Sequence, residues 1–113
     1  MRRIATHKVD DNQAEIVRDL RKMHFSVRST AMVGNGFPDI VVGFLGNNWL
    51  FEIKDPAKPP SGRKLTPKEQ DFQLDWRGQV HVVETVEDIL DAMFKIEIPE
   101  NWGKQFTQNN SST

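Results

Sequence analysis

Two acidic residues and a lysine fall on neighbouring apolar runs that are typical of β-strands. Asp39 opens the run over 39–44, and Glu52 and Lys54 end the run over 49–54. An aspartate and a glutamate form a hard, all-oxygen pair that suits Mg²⁺ or Mn²⁺. An ion held by such a pair can acidify a bound water and stabilise charge on a phosphoryl oxygen, and a lysine can neutralise the developing charge. The three residues therefore predict hydrolysis of a phosphodiester bond.

The turn between the two runs decides whether the acids share a face of the sheet, because side chains alternate along a strand. A two-residue loop at 46–47 and a four-residue loop at 45–48 predict the same register. In that register Asp39 lies opposite Lys54 and diagonal to Glu52, with Cβ atoms roughly 7 Å apart. An odd-length loop without a bulge would turn Asp39 to the other face. The metal hypothesis therefore requires an even loop.

The elements that must position these residues are indicated by apolar spacing, helix caps and turn residues. In chain order, the predicted elements are a helix over 13–24 capped by Asn12 and Glu15, strands over 25–29, 39–44 and 49–54, a helix over 67–77 capped by Thr66 and Glu69, a strand over 80–83, and a helix that opens with Thr85 and reaches Phe94. The proline-rich segment over 55–65 is predicted to lack regular structure. The order α-β-β-β-α-β-α, with a crossover that makes the last strand parallel to a neighbour, predicts an α/β fold with a mixed central β-sheet flanked by helices.

Apolar side chains indicate which faces of these elements are buried. Phe51 and Ile53 alternate with Glu52, so we expect them to point away from the acids and to pack on a helix. Phe72 and Trp76 follow helical spacing, so we expect both in the core.

Length and composition indicate one globular domain, since the chain has 113 residues, 37% hydrophobic and 27% charged. We place the domain over 1–98 and a polar tail over 99–113. Without cysteine, neither a disulfide framework nor a thiolate site is expected, and the expected location is intracellular and cytoplasmic. No apolar run is long enough for a membrane span and no signal peptide is recognisable, so no membrane association is expected.

Charge is distributed unevenly along the chain. A net charge of −1 argues against a polybasic protein that coats nucleic acid. The segment over 54–68 nevertheless has five basic residues and one acid, whereas 84–100 has six acids and one lysine. A basic loop beside the acids can bind DNA phosphates, which require positive charge but no base readout. The candidate DNA-binding residues are Lys58, Arg63, Lys64 and Lys68.

Three motifs follow one another in the chain. They are Gly36-Phe37-Pro38-Asp39, Glu52-Ile53-Lys54 and Leu65-Thr66-Pro67-Lys68-Glu69-Gln70. Together with the hairpin spacing and the glutamate of the first helix, these motifs resemble the PD-(D/E)XK nuclease superfamily, and they are most similar to its virus-type replication-repair nuclease branch, the VRR-NUC domain. The resemblance covers about 12–90 and implies a restriction-endonuclease-like fold.

The resemblance also implies a ligand set for Mg²⁺ or Mn²⁺. Asp39, Glu52 and the backbone carbonyl of Ile53 would bind the ion, and Glu15 would bind directly or through water. Asp19, one helical turn further along the same face, is the alternative acid. By the same resemblance, the catalytic residues would be Asp39, Glu52, Lys54 and Gln70.

The expected function is metal-dependent endonucleolytic cleavage of DNA, on a branched substrate such as a four-way junction, as in Holliday-junction resolvases of the resembled family. Resolving a junction takes two symmetric cuts, so a homodimer with twofold symmetry is expected. One alternative is a catalytically silent DNA-binding module with the nuclease fold. The other is a small α/β interaction domain whose contact surface is the acidic segment over 84–100.

Overall fold

The computed structural model describes residues 11–95, so the chain before residue 11 and the tail expected over 99–113 lie outside the described residues. The elements are α1 (Asp11–Lys22), β1 (Ser26–Ser29), β2 (Ile40–Phe44), β3 (Asn47–Ile53), a 3₁₀ turn (Pro60–Arg63), α2 (Pro67–Asp75), β4 (Val80–Val83) and α3 (Val86–Phe94). The predicted order of helices and strands is confirmed. The expectation of no regular structure over 55–65 is wrong at the 3₁₀ turn, where Pro60 fits the first position of a helical turn.

The four strands form one mixed sheet in the order β1-β2-β3-β4. β1, β2 and β3 pair antiparallel, whereas β4 pairs parallel with β3. The predicted mixed α/β sheet flanked by helices is therefore confirmed at this level. No helix between residues 11 and 95 is long and apolar enough to cross a membrane.

The hairpin turn contains Leu45 and Gly46, one residue earlier than the predicted two-residue loop. Both residues have positive φ, 52° and 80°, as a type I′ turn requires. Phe44 then pairs with Asn47. Each β2 residue therefore pairs with a β3 residue two positions earlier in the chain than predicted. The Asp39 N–H donates to the Phe51 carbonyl and the Lys54 N–H to the Val83 carbonyl of β4, so the predicted pairing of Asp39 with Lys54 is wrong. The loop is still even, and the Asp39 and Glu52 side chains hydrogen-bond each other.

The hydrophobic core lies on the other face of the sheet, beneath α1 and α3. Ile16 and Leu20 of α1 and Ile89 and Met93 of α3 are all buried, at the i and i+4 spacing that puts apolar side chains on one stripe of a helix. Burial of a side chain of this size contributes about 1.5–3 kcal/mol each. The predicted orientation of two strand residues is confirmed, since the same cluster includes Phe51 and Ile53.

The predicted N-cap of the first helix is wrong. Asn12 lies inside α1, which already includes Asp11. Its side-chain amide donates a hydrogen bond to the Lys54 carbonyl, 3.0 Å away. This bond ties α1 to the end of β3, which is a contact that no local pattern could predict.

The end of α1 also differs from the prediction, because the helix stops at Lys22. His24 has φ 71°, a left-handed conformation that ends a helix. The Phe25 N–H donates to the Leu20 carbonyl and the His24 N–H to the Arg21 carbonyl, which is the hydrogen-bond pattern of a Schellman motif.

The predicted capping box of α2 is confirmed. Thr66 accepts from the Glu69 N–H, and the Glu69 side chain accepts from the Thr66 N–H. The prediction that Phe72 and Trp76 lie in the core is wrong. Trp76 is 44% exposed, and none of the α2 residues is buried, because this helix does not pack on the core face. The two rings instead stack with centroids 4.9 Å apart, beside Phe37.

Candidate active site

Asp39 and Glu52 form the centre of the candidate site. The Asp39 N–H donates to the Phe51 carbonyl (2.9 Å), and its carbonyl accepts from the Thr30 N–H (2.8 Å), so its backbone is fixed between two strands. Glu52 lies on β3 and is only 4% exposed. The Glu52 side chain hydrogen-bonds that of Asp39, so the two carboxyl groups are close enough to share one cation.

The main chain of Ile53 faces the Asp39 carboxyl group. Its N–H donates to Asp39 Oδ2 at 2.7 Å. In an antiparallel pair the N–H and C=O of one strand residue point to the same side, so the Ile53 carbonyl also lies on the side of Asp39. The hydrogen bond orients the Asp39 carboxyl group beside Glu52. Asp39, Glu52 and the Ile53 carbonyl, which sequence reasoning grouped, are therefore brought together.

Lys54 joins the same cluster because it lies two residues after Glu52, and side chains two residues apart in an extended segment point to the same face. Its Nζ is 3.4 Å from Glu52 Oε2 and 3.0 Å from Glu69 Oε1. The lysine side chain is 13% exposed, so its ammonium is held among carboxylates rather than in bulk water. The cluster thus consists of two strand acids, one strand lysine and one helix acid.

Glu69 is the member of the cluster that sequence reasoning did not assign to the site. Its Oε1 accepts from both the Thr66 N–H (2.9 Å) and Lys54 Nζ. The capping box accounts for a glutamate at this position on its own, so the sequence has no second signal for its contact with Lys54. Glu69 therefore has two roles, because it caps α2 and also binds the Lys54 ammonium.

Mutual proximity shifts the pKa of each acid at the centre of the cluster. Burial raises the pKa of Glu52 to about 9, and the charges of Asp39 and Glu69 act in the same direction. Burial also raises the pKa of Asp39, although the Ile53 N–H stabilises its ionised form. At neutral pH, Glu52 consequently holds a proton and hydrogen-bonds a neighbouring carboxylate.

The other two charged groups are stabilised in their ionised forms. Burial alone would lower the pKa of Lys54, but Glu69 and Glu52 outweigh it and the pKa is raised. Burial would raise the pKa of Glu69, but the Thr66 N–H and the Lys54 ammonium outweigh it and the pKa is lowered. Lys54 therefore carries its positive charge throughout the neutral range, as a group that neutralises negative charge must.

Two further residues predicted for the site lie at other positions. The Gln70 side chain is exposed and donates from Nε2 to the Leu65 carbonyl at 3.1 Å, which braces the start of α2. Glu15 is exposed on α1, one turn after Asn12, and Asp19 is half-buried one turn further. Neither acid takes part in the hydrogen-bonded cluster around Glu52 that the described residues form.

The four predicted DNA-binding residues lie before, in and after the 3₁₀ turn and at the start of α2. Lys58, Lys64 and Lys68 are exposed, and Lys68 Nζ donates to Asn35 Oδ1 at 3.4 Å. Arg63 is half-buried and pairs with Glu84, with Nη1 3.5 Å from Oε2. Its Nε is buried without a hydrogen-bond partner among the described residues. Arg63 is therefore bound within the fold, and the three lysines form the exposed basic part of the loop.

The donor set fits a hard divalent cation. Two adjacent carboxyl groups with raised pKa values repel each other when ionised, and a cation would remove that repulsion. Across residues 11–95, no group of three or more His, Asp or Glu side chains has the arrangement of a metal site. The candidate ligands are two carboxylates and one backbone carbonyl, a set that leaves room for water and substrate oxygens, as Mg²⁺ prefers.

Comparisons of this chain with protein-family models, with curated proteins and with solved structures found no match. The function of the cluster is therefore inferred from its own residues.

Proposed function

We propose that this protein is a metal-dependent endonuclease of the PD-(D/E)XK type, with a restriction-endonuclease-like fold, that hydrolyses phosphodiester bonds in DNA. The observation that carries the proposal is the contact between the Asp39 and Glu52 carboxyl groups, with the Ile53 N–H bound to Asp39 and the Lys54 ammonium 3.4 Å from Glu52. An acid pair, a strand carbonyl and a lysine on one sheet face are the groups that phosphodiester hydrolysis requires.

Each residue of the cluster has a role in this proposal. Asp39, Glu52 and the Ile53 carbonyl would hold Mg²⁺ or Mn²⁺, which when bound supplies an acidified water and charge stabilisation at the phosphoryl group. Lys54 places a fixed positive charge on the same face and neutralises charge that develops on the phosphate oxygens. Glu69 is a positioning residue, because it holds the Lys54 ammonium and hydrogen-bonds the Glu52 side chain.

The substrate is proposed to be DNA with a branched structure, and the active form a homodimer with one site per protomer. The exposed lysines Lys58, Lys64 and Lys68 lie on the loop and helix that follow the site in the chain. Their charge suits phosphate contacts, which orient a duplex without reading its sequence. Two sites related by a twofold axis would cut the two strands of a junction symmetrically.

Cleavage assays with matched variants test the proposal. Labelled duplex, flap and four-way-junction DNA are incubated with Mg²⁺, Mn²⁺ or chelator, together with Asp39→Asn, Glu52→Gln and Lys54→Met. Glu87→Gln, an exposed acid of α3, is the control for the loss of one carboxylate. We expect metal-dependent cutting that falls about 100-fold or more in the three site variants and is unchanged in the control.

Two outcomes would contradict the proposal. DNA that is shifted in a gel but never cut under any metal condition would favour the silent binding module. The absence of both binding and cutting at low salt would favour the protein-interaction domain. Circular dichroism of each variant separates a lost site from a lost fold.

A further inference from the structure

A groove of about 660 Å³ lies between α1 and the end of β1, outside the carboxylate cluster. Its apolar part consists of Ala14 and Val17. Its charged part consists of Arg18, Arg21 and Lys22, and no acidic residue among residues 11–95 lines it. Three cations around a concave surface attract a ligand that carries several negative charges.

The groove ends one residue from the backbone that holds Asp39. Ser29 lines its end and pairs with Ile40, and the next residue, Thr30, donates its N–H to the Asp39 carbonyl at 2.8 Å. Neighbouring strands are about 4.8 Å apart. A chain-like ligand that passes from the face of the carboxylate cluster around the β1 edge of the sheet can therefore reach the groove.

The dimensions of the groove suit a phosphodiester strand. Its α1 residues extend from Gln13 to Lys22, which at 1.5 Å per residue is roughly 13 Å of helix. This length is sufficient for a short run of successive phosphates along one strand. The three cations occupy the second half of the groove on successive turns of α1.

The position of Arg21 favours a phosphate strand over an added peptide strand as the ligand of the groove. β1 is at the edge of the sheet, where a peptide could extend the sheet through free backbone groups. The Arg21 guanidinium donates from Nη2 to the Val27 carbonyl at 2.9 Å, so that carbonyl is already bound. A guanidinium has five N–H donors, and the same hydrogen bond fixes its position for contact with an anion.

We infer that this groove binds one phosphodiester strand of the nucleic-acid substrate, which extends from the Asp39 end along α1. The identity of the ligand as the substrate rests on the proposed function, but the binding surface itself can be tested without cleavage. Arg18 and Lys22 are the exposed cations that contact phosphates, and Arg21 is the fixed one.

The test measures binding of a fluorescently labelled 20-base-pair duplex to the full chain by anisotropy, in EDTA, over a range of salt concentrations. The variant is Arg18→Gln/Lys22→Gln, which leaves the Arg21 bond to Val27 intact. The control is Arg77→Gln/Lys95→Gln, which removes the same charge at two exposed positions outside the groove. We expect the groove variant to bind about tenfold more weakly at 50 mM salt, while the affinity of the control changes little. We also expect the slope of log K against log salt concentration to be less steep by roughly 2 in the groove variant.

An equal affinity and salt slope in the two double variants would overturn the inference. So would binding of poly-glutamate that is lost in the groove variant while duplex affinity is unchanged, because the groove would then hold acidic peptides. Unfolding midpoints of both variants verify that the fold is retained. If duplex binding depends on the groove but the wild type never cuts DNA, only the proposed function fails. If the wild type cuts and the groove variant cuts with an unchanged KM, only the groove inference fails.

Discussion

The Glu52 side chain hydrogen-bonds the Asp39 carboxyl group at the open end of the β2–β3 hairpin, and because of this contact the two carboxyl groups do not ionise independently. Both have a raised pKa, and that of Glu52 reaches about 9. Glu52 is also the acid with the least contact with water, at 4% exposure. A protein selected only for stability would have a neutral residue at such a position, because a buried carboxylate is costly unless it is paired or bound to a metal.

Glu52→Gln should stabilise the metal-free protein, and more so as the pH rises. The pKa of Glu52 is raised from 4.5 in the unfolded chain to about 9, so the folded state binds more protons between these values and the wild type loses stability as the pH increases through that window. Glutamine does not ionise. The gain in free energy of unfolding should be near zero at pH 4 and about 1–3 kcal/mol at pH 8.

Urea unfolding of the wild type, Glu52→Gln and the control Glu87→Gln at pH 4, 6 and 8 measures this difference. Glu87 is exposed, so its variant should be no more stable than the wild type at any of these values. A constant difference between Glu52→Gln and the wild type across the three pH values would contradict the pKa shift.

Divalent cations should stabilise the wild type but not the Asp39→Asn or Glu52→Gln variants. A ligand that binds only the folded state at ten times its Kd adds about 1.4 kcal/mol, which corresponds to roughly 4–8 °C in Tm for a domain of this size. Binding of the ion requires Glu52 to lose its proton, which takes less free energy at higher pH. The rise in Tm should therefore be larger at pH 8 than at pH 6. Differential scanning fluorimetry with MgCl₂, MnCl₂ or EDTA measures it, with KCl at matched ionic strength as the control. Equal shifts in the wild type and both variants would place the ion elsewhere.

Local patterns predicted much of the fold, whereas contacts between distant residues were not predictable. Alternating β-branched residues and the Thr66 cap depend on neighbours in the chain, and the corresponding elements formed as expected. The bond from Asn12 to the Lys54 carbonyl spans 42 residues, and the one from Lys54 to Glu69 spans 15. Asn12 and Glu69 were each predicted to cap a helix, and this local role did not indicate a contact with Lys54.

The turn register was mispredicted because Gly46 is compatible with two adjacent two-residue loops. What distinguishes them is the open end of the hairpin, where the Asp39 N–H reaches the Phe51 carbonyl and its carboxylate reaches the Ile53 N–H. Those bonds involve side chains and backbone outside the turn. The metal hypothesis required an even loop, and the observed loop of Leu45 and Gly46 is even.

Glu69→Gln should reduce cleavage while the start of α2 keeps its cap. Glutamine still accepts from the Thr66 N–H, as capping boxes allow, but it no longer offers a charge to Lys54. If the proposed function holds, we expect kcat to fall roughly tenfold with KM unchanged. Thr66→Ala is the opposite variant, because it removes the cap, costs about 0.5–2 kcal/mol and leaves the Lys54 contact. A loss of kcat in Thr66→Ala equal to that in Glu69→Gln would show that the effect acts through helix stability instead.

Gly36→Ala should destabilise the protein more than Gly34→Ala, although both glycines have positive φ. A Cβ on Gly36 (φ 80°) would overlap the Lys68 carbonyl at the start of α2, whereas a Cβ on Gly34 (φ 75°) would meet open space. The second variant has only the cost of a left-handed alanine, about 1 kcal/mol. The first must also displace α2 from the loop, so we expect a loss of at least about 2 kcal/mol. Because Glu69 begins the same helix, Gly36→Ala should also weaken the divalent-cation shift in Tm. Equal unfolding free energies for the two variants in urea would show that the close approach of Gly36 to α2 does not contribute to stability.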